Sequence, residues 1–253
     1  MTIQKYLARI NYRGDLLPSL STLQVLQEAH LLHIPFENLD IALKKEIILD
    51  LERLYRKIVI NRRGGFCYEL NGLFHWLLQE IGFTTKLVSG RVYVQDREDY
   101  GPEFDHLAIL VTIEGKEWLS DVGFGDFSLH PLPLEINTPL NDANGQFLIE
   151  GYQNTHFRIS RYHPKQNKFF PEYLFSNVSR QLSDFDQMCR YHQTSSESHF
   201  TRKRVCSLAT HNGRITLTGD KLIITRKDSR KELAVKNDQE FELALKNYFN
   251  IKL

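Results

Sequence analysis

Cysteine is scarce: Cys67, Cys189 and Cys206 are the only three in 253 residues. That excludes a disulfide-stapled scaffold. Their wide spacing excludes a CxxC-type metal site. Net charge is nearly absent too. Thirty-two basic residues face 31 acidic ones, too even a balance for a surface given over to nucleic acid. No apolar run approaches the roughly 20 residues of a membrane span. The opening MTIQKYLARINYRGD lacks a basic stretch followed by an apolar one, the mark of a secretory signal. Repeats and low-complexity linkers are missing as well. What remains is an ordinary globular composition, 42% hydrophobic and 25% charged. The expectation is a soluble protein of a reducing cytoplasm, with no membrane or nucleic-acid partner. The oligomeric state is left open.

The texture changes along the chain, and three domains are expected. Residues 1–84 read as helical. Ser21, with Gln24 three residues on, suits a capping box, and Leu23, Leu26 and Leu31 follow before Pro35. Asp50 caps a second helix through Leu51, Leu54 and Ile58. The stripe Cys67, Leu70, Phe74, Leu77, Leu78 and Ile81 has a helical period and predicts a helix from about Cys67 to Glu80, ended by Gly82. Residues 85–188 read as a sheet or barrel, with strands at Lys86–Val94, Leu107–Ile113, Glu117–Val122, Phe147–Glu150 and His156–Ser160. A short helix near Leu182–Tyr191 leads into residues 189–253, a smaller α/β part. There Val205–Leu208, Arg214–Thr218 and Lys221–Thr225 form a meander with a hairpin signal at Asn212-Gly213. A last helix, about Gln239–Phe249, is capped by Asn237 or Asp238. The predicted class is α+β.

Three residues stand out chemically. Cys67 follows Arg62-Arg63-Gly64-Gly65 and opens a helix, where the dipole favours a thiolate. The two glycines suit a close approach of backbone to ligand. A buried core cysteine is the plain alternative, because the position lies on the apolar stripe. His106 opens the strand HLAILV. Glu114-Gly115 reads as a two-residue hairpin loop, which pairs 113 with 116 and sets 108 opposite 121. Asp121 then shares a face with His106, diagonally and within side-chain reach. Alternation points the rival Asp105 away. A helix-start Cys with a His 39 residues on and a carboxylate 15 beyond that is the plan of a thiol acyl-transfer site. Glu37 and Arg63 are expected to form a buried ion pair. His30, His33 and His75 show no metal pattern, and no metal is expected. Arg202-Lys203-Arg204 reads first as a solvated charge run.

At these residues a resemblance becomes specific. RRGGFCYELNGLF around Cys67 resembles the signature of the arylamine N-acetyltransferases, as does IPFENLD at Ile34–Asp40. FDHLAILV and LSDVGFGD resemble that family's His and Asp segments. YHQTSSESHFTRKRVCSL at Tyr191–Leu208 and the closing LALKNYFNI are similar to its third-domain segment and last helix. The resemblance implies a papain-like catalytic core: a helical first domain, a β-barrel and an α/β lid. It implies acetyl-CoA as co-substrate and an aromatic amine or hydrazine as acceptor. Cys67 would be acetylated, His106 would be the base and Asp121 its partner. Gly123, Phe124 and Gly125 would line the site where coenzyme and amine meet, with Tyr191 and Phe200 packing on the coenzyme. Phe36, Val92 and Phe124 would form the acceptor pocket. His199 and Glu197 depart from the small hydroxyl residues usual at their positions. Two rivals share the same residues. One is a thiol hydrolase or transglutaminase-like enzyme, and the other is a binding module with a relic site.

Overall fold

The computed structural model describes residues 1–153, 155–226 and 229–253. Its first third is helical: α1 (Ile3–Arg9), α2 (Leu20–His33), α3 (Leu39–Ala42), α4 (Leu51–Tyr55) and α5 (Cys67–Ile81), with a two-residue strand β1 (Phe36–Glu37) between α2 and α3. Asp50 caps α4, its Oδ1 accepting from the Arg53 N–H at 3.0 Å. The chain then widens into a π-helix over Arg56–Ile60, which buries Ile58 and Val59 together. The cap of α2 is Ser19 rather than Ser21. Ser19 has the extended backbone a cap needs, and its hydroxyl accepts from the Thr22 N–H. Helix α5 ends as predicted, with Gly82 left-handed at φ +106°. Its burial exceeds a stripe: Tyr68 and Leu73 are as fully covered as Leu70 and Leu77. It is the central helix of the first core.

A curved sheet follows, built from β2 (Thr84–Val94), β3 (Asp99–Tyr100), β4 (His106–Ile113), β5 (Lys116–Ser120), β6 (Leu132–Pro133), β7 (Pro139–Asp142), β8 (Gly145–Tyr152), β9 (His156–His163) and β10 (Lys168–Ser176). The strand order is β6-β5-β4-β2-β10-β9-β8-β7, with β3 on β2. A bridge from Ile136 to Ile149 nearly closes it into a barrel. The predicted β4–β5 register holds: Ile113 faces Lys116 and Ile109 faces Ser120. Strand β4 is covered on both sides. Leu107, Ile109 and Val111 pack into the helical core, and Ala108 and Leu110 into the barrel core. That is why HLAILV reads as a nearly unbroken apolar run.

The last part carries α6 (Asp186–Thr194), α7 (His199–Arg202), β11 (Val205–Thr210), β12 (Gly213–Thr218), β13 (Lys221–Arg226), β14 (Ser229–Ala234) and α8 (Asp238–Phe249). Asn237 caps α8, accepting from the Glu240 N–H at 2.9 Å. The β11–β12 loop is His211-Asn212, one residue earlier than the hairpin signal, because Thr210 pairs with Gly213. Two segments cross between regions. Strand β1 joins the edge of the C-terminal sheet through Phe36–Ser207 and Glu37–Cys206. Phe185 and Cys189, around the start of α6, pack into the helical core. No helix among the described residues is long and apolar enough to cross a membrane.

Candidate active site

Cys67 is the first residue of α5 and is buried. The loop before it is fixed by charge. Arg63 Nη2 lies 2.8 Å from Glu37 Oε1 and 3.0 Å from Asp40 Oδ1. Lys57 Nζ lies 2.8 Å from both Asp40 and Glu69 carboxylate oxygens. Glu69 in turn accepts from the Phe66 N–H at 3.1 Å, capping α5. The expected Glu37–Arg63 pair is thus one edge of a five-residue network. Lys57 and Arg63 are both driven above their usual values: burial opposes the charge, but the surrounding carboxylates prevail. Asp40 is driven down: burial acts upward, but Lys57 and Arg63 prevail. Buried Arg9 adds a brace, donating to the carbonyls of His33, Ile58 and Arg63. The expectation for Gly64 needs correcting. A Cβ there would fall 2.0 Å from the Pro35 carbonyl oxygen, so the glycine serves packing against the chain before β1 rather than approach to a ligand.

His106 and Asp121 meet as the hairpin register requires. Their Nε2 and Oδ2 atoms lie 2.7 Å apart, and both side chains are buried. A proton on Nε2 serves Asp121 and leaves Nδ1 as the free basic nitrogen. Asp121 is heavily supported. Its Oδ2 also accepts from the Tyr173 hydroxyl at 3.0 Å. Its Oδ1 accepts from Asn71 Nδ2 and from the backbone N–H groups of Gly123 and Phe124. Burial acts to raise the Asp121 pKa, but His106 and these donors hold it below the usual carboxylate range. Asn71 reaches further, accepting from the Val122 N–H and donating to the Leu107 carbonyl. Gly123 is a glycine for cause, since a Cβ would lie 2.7 Å from the Cα of Cys67. The loop after β5 therefore lies directly on the start of α5.

A cavity of about 260 Å³ opens between these elements. Cys67, His106, Phe36, Val92, Gly123, Phe124 and Phe200 line it. Phe124 packs edge-on against the His106 ring, with centroids 5.1 Å apart. Asp105 and His199 line the cavity as well. Gly125 does not; its carbonyl turns to accept from Arg214 at 2.6 Å. Tyr191 also stays outside, with its ring against His192 on exposed α6 surface. Arg204 of the charge run is tied to Asp238 and stacked over Phe241. The thiol environment differs from the one expected at a helix start. Burial, and after it the Asp105 and Asp121 carboxylates, push the Cys67 thiol well up. The Leu107 backbone N–H works in the opposite sense. A thiol in this setting needs a base to ionise, and His106 shares its cavity.

The comparisons with known proteins bear on the family and the fold. A family model described as N-acetyltransferase matches residues 19–253. Arylamine N-acetyltransferase, pineal gland isozyme NAT-10, of Gallus gallus is 34% identical over 275 residues, covering 100% of this chain and 95% of its own. The solved arylamine N-acetyltransferase from M. tuberculosis superposes with a TM-score of 0.92 at 28% identity, over 99% of this chain and 94% of that one. The Mycobacterium marinum arylamine N-acetyltransferase, solved in complex with CoA, gives a TM-score of 0.90 at 29% identity, over 99% and 93%. The α+β fold with its barrel-like sheet is accordingly a papain-like core.

Proposed function

The chain belongs to the arylamine N-acetyltransferase family, and from that premise we propose that it moves an acetyl group from acetyl-CoA to an aromatic amine or hydrazine through Cys67. One observation carries the residue-level reading. A buried thiol at a helix start and the imidazole of a His–Asp pair from the facing hairpin open onto a single aromatic-walled cavity.

In the first half-reaction His106 Nδ1 takes the Cys67 proton. The sulfur attacks the thioester carbonyl, and backbone N–H groups near the start of α5 receive the oxyanion. A bond forms from carbon to Cys67 sulfur, the bond to the coenzyme sulfur breaks, and the coenzyme thiolate takes the proton back from His106. In the second half the amine nitrogen attacks acetyl-Cys67. The carbon–sulfur bond breaks, and the amine proton passes through His106 to the Cys67 sulfur. Asp121 fixes the imidazole tautomer and steadies the imidazolium. Phe36, Val92 and Phe124 offer flat apolar walls to an aryl ring. Phe200 and Gly123 flank the coenzyme arm, and cytoplasmic residence completes the proposal.

Initial rates measured with both substrates varied test the reading. Parallel double-reciprocal lines are expected of an acetyl-enzyme. Intersecting lines overturn it. Equal consumption of acetyl-CoA with and without amine favours the hydrolase instead.

A further inference from the structure

A second histidine–carboxylate pair sits beside the first, and the transfer chemistry does not require it. Asp105 immediately precedes His106 and lines the catalytic cavity. His192 of α6 brings Nε2 to 3.1 Å from Asp105 Oδ1, with its side chain only 4% exposed. The other ring nitrogen, Nδ1, lies 3.0 Å from Ser198 Oγ, and that oxygen also accepts from the Phe200 N–H. Tyr68, next to Cys67 in the chain, stacks on the His192 ring at 28°. Its hydroxyl donates to the carbonyls of Phe104 and Asp105. Three elements thus converge on this pair: α5, the lead into β4, and α6.

A carboxylate close to a buried thiol opposes loss of the thiol proton. Asp105 lines the same cavity as Cys67, and its carboxylate, like that of Asp121, acts to push the thiol up. Asp121 lies against His106, and Asp105 against His192. The other titratable groups facing the pair are few. His199 of α7 lies with its ring 6.4 Å from that of His192, and burial lowers its pKa. Cys189 of α6 is pushed up to about 12 and stays neutral. Burial also keeps the Tyr68 phenol neutral.

We propose that His192 is a positioning residue for the acetylation step: it holds Asp105 in a net-neutral ion pair, so that the carboxylate beside Cys67 opposes loss of the thiol proton less than an unpaired carboxylate would. The Nε2 edge of the His192 ring faces Asp105 and the Nδ1 edge faces Ser198. The inference rests on Cys67 being the thiol that accepts the acetyl group.

The test is the rate of Cys67 alkylation by iodoacetamide as a function of pH, with the labelled residue identified by peptide mapping. His192→Gln keeps a hydrogen-bond donor but removes the charge. Its profile is expected to move up by about 1 pH unit, which is roughly tenfold slower alkylation below the midpoint. Adding Asp105→Asn to His192→Gln should bring the profile back to that of the wild type. A merely structural His192 would be rescued by Gln and would not respond to Asp105. A folded His192→Gln with a wild-type profile overturns the proposal, as does a double variant that stays slow. If His192→Gln fails to fold, Asp105→Asn alone decides: a profile at or below the wild-type midpoint supports the pairing, and an upward shift contradicts it. Acetyl-CoA labelling of wild-type Cys67 separates the two readings. A failure there with the alkylation shift intact removes the proposed function and leaves the pairing. Normal labelling with no shift removes the pairing alone.

Discussion

The two halves of the site are held in different ways. The thiol half is fixed by buried ion pairs: Arg63 and Lys57 against Glu37, Asp40 and Glu69, the last pushed up to about 7 by burial. None of these five lines the cavity. The imidazole half is fixed by sheet register and by donors converging on one carboxylate. Removing one partner from the first network leaves a buried charge stranded. Removing a donor from the second mostly changes how Asp121 treats His106. The difference predicts that thiol-side substitutions act on stability and imidazole-side substitutions act on turnover.

Asp121→Asn should show the largest effect. The fold has the same shape to fill, but the imidazole loses its tautomer and its counter-charge. The equivalent swap in the Ser triad costs about 10⁴ in turnover, and a loss on the order of 10³ or more is expected here, with urea unfolding little changed. Wild-type turnover would break the comparison at its base. Arg63→Met comes next and should reverse the pattern. Breaking a buried ion pair costs about 3–5 kcal/mol, so the urea midpoint should fall sharply, while turnover per folded molecule stays within a few-fold. A collapse of turnover in a fully folded Arg63→Met would erase the distinction.

Acid unfolding compares the halves directly. Asp40 and Asp121 are both held below the ordinary carboxylate range. A carboxyl lowered in the folded state contributes stability above its unfolded pKa of about 3.9, and that stability is lost as pH falls through the folded value. Unfolding free energy should therefore drop below about pH 4. Each group steepens the drop by at most about 1.4 kcal/mol per pH unit. Asp40→Asn should flatten the slope; an unchanged slope would show that Asp40 is not held down. Tyr173→Phe is the smaller of the two imidazole-side effects. It removes one donor to Asp121 and leaves four. A hydrogen bond to a charged acceptor is worth about 1.5–3 kcal/mol, which predicts a fall in kcat of roughly ten- to a hundredfold without a change in the urea midpoint. A fall as deep as that of Asp121→Asn would give Tyr173 a larger part than geometry assigns it.

The comparison also explains what the sequence revealed. The His106–Asp121 contact was legible because a two-residue loop fixes register. Glu114 and Gly115 both adopt positive φ, as a type I′ turn requires, and period-two alternation does the rest. The start of α5 was legible from its stripe and from Gly82. Tyr173 was not, because β10 carries Pro171 and a register shift between Pro171 and Tyr173, which masks a strand pattern. Lys57, Arg9 and Asn71 act across 12 to 54 residues, and no local pattern marks such contacts. Tyr191 was expected at the coenzyme, yet on α6 its neighbour His192 takes the inward position. Successive helix residues point about 100° apart, so the two cannot share a face.

The central claim is that Cys67 is the group that carries the acetyl. Intact-protein mass spectrometry after mixing with acetyl-CoA alone, followed by peptide mapping, tests it most directly. The account predicts one added acetyl group, located on Cys67, which disappears when an aromatic amine is supplied. An unmodified protein that still acetylates the amine, or an acetyl group placed on another residue and turned over as fast, would contradict it.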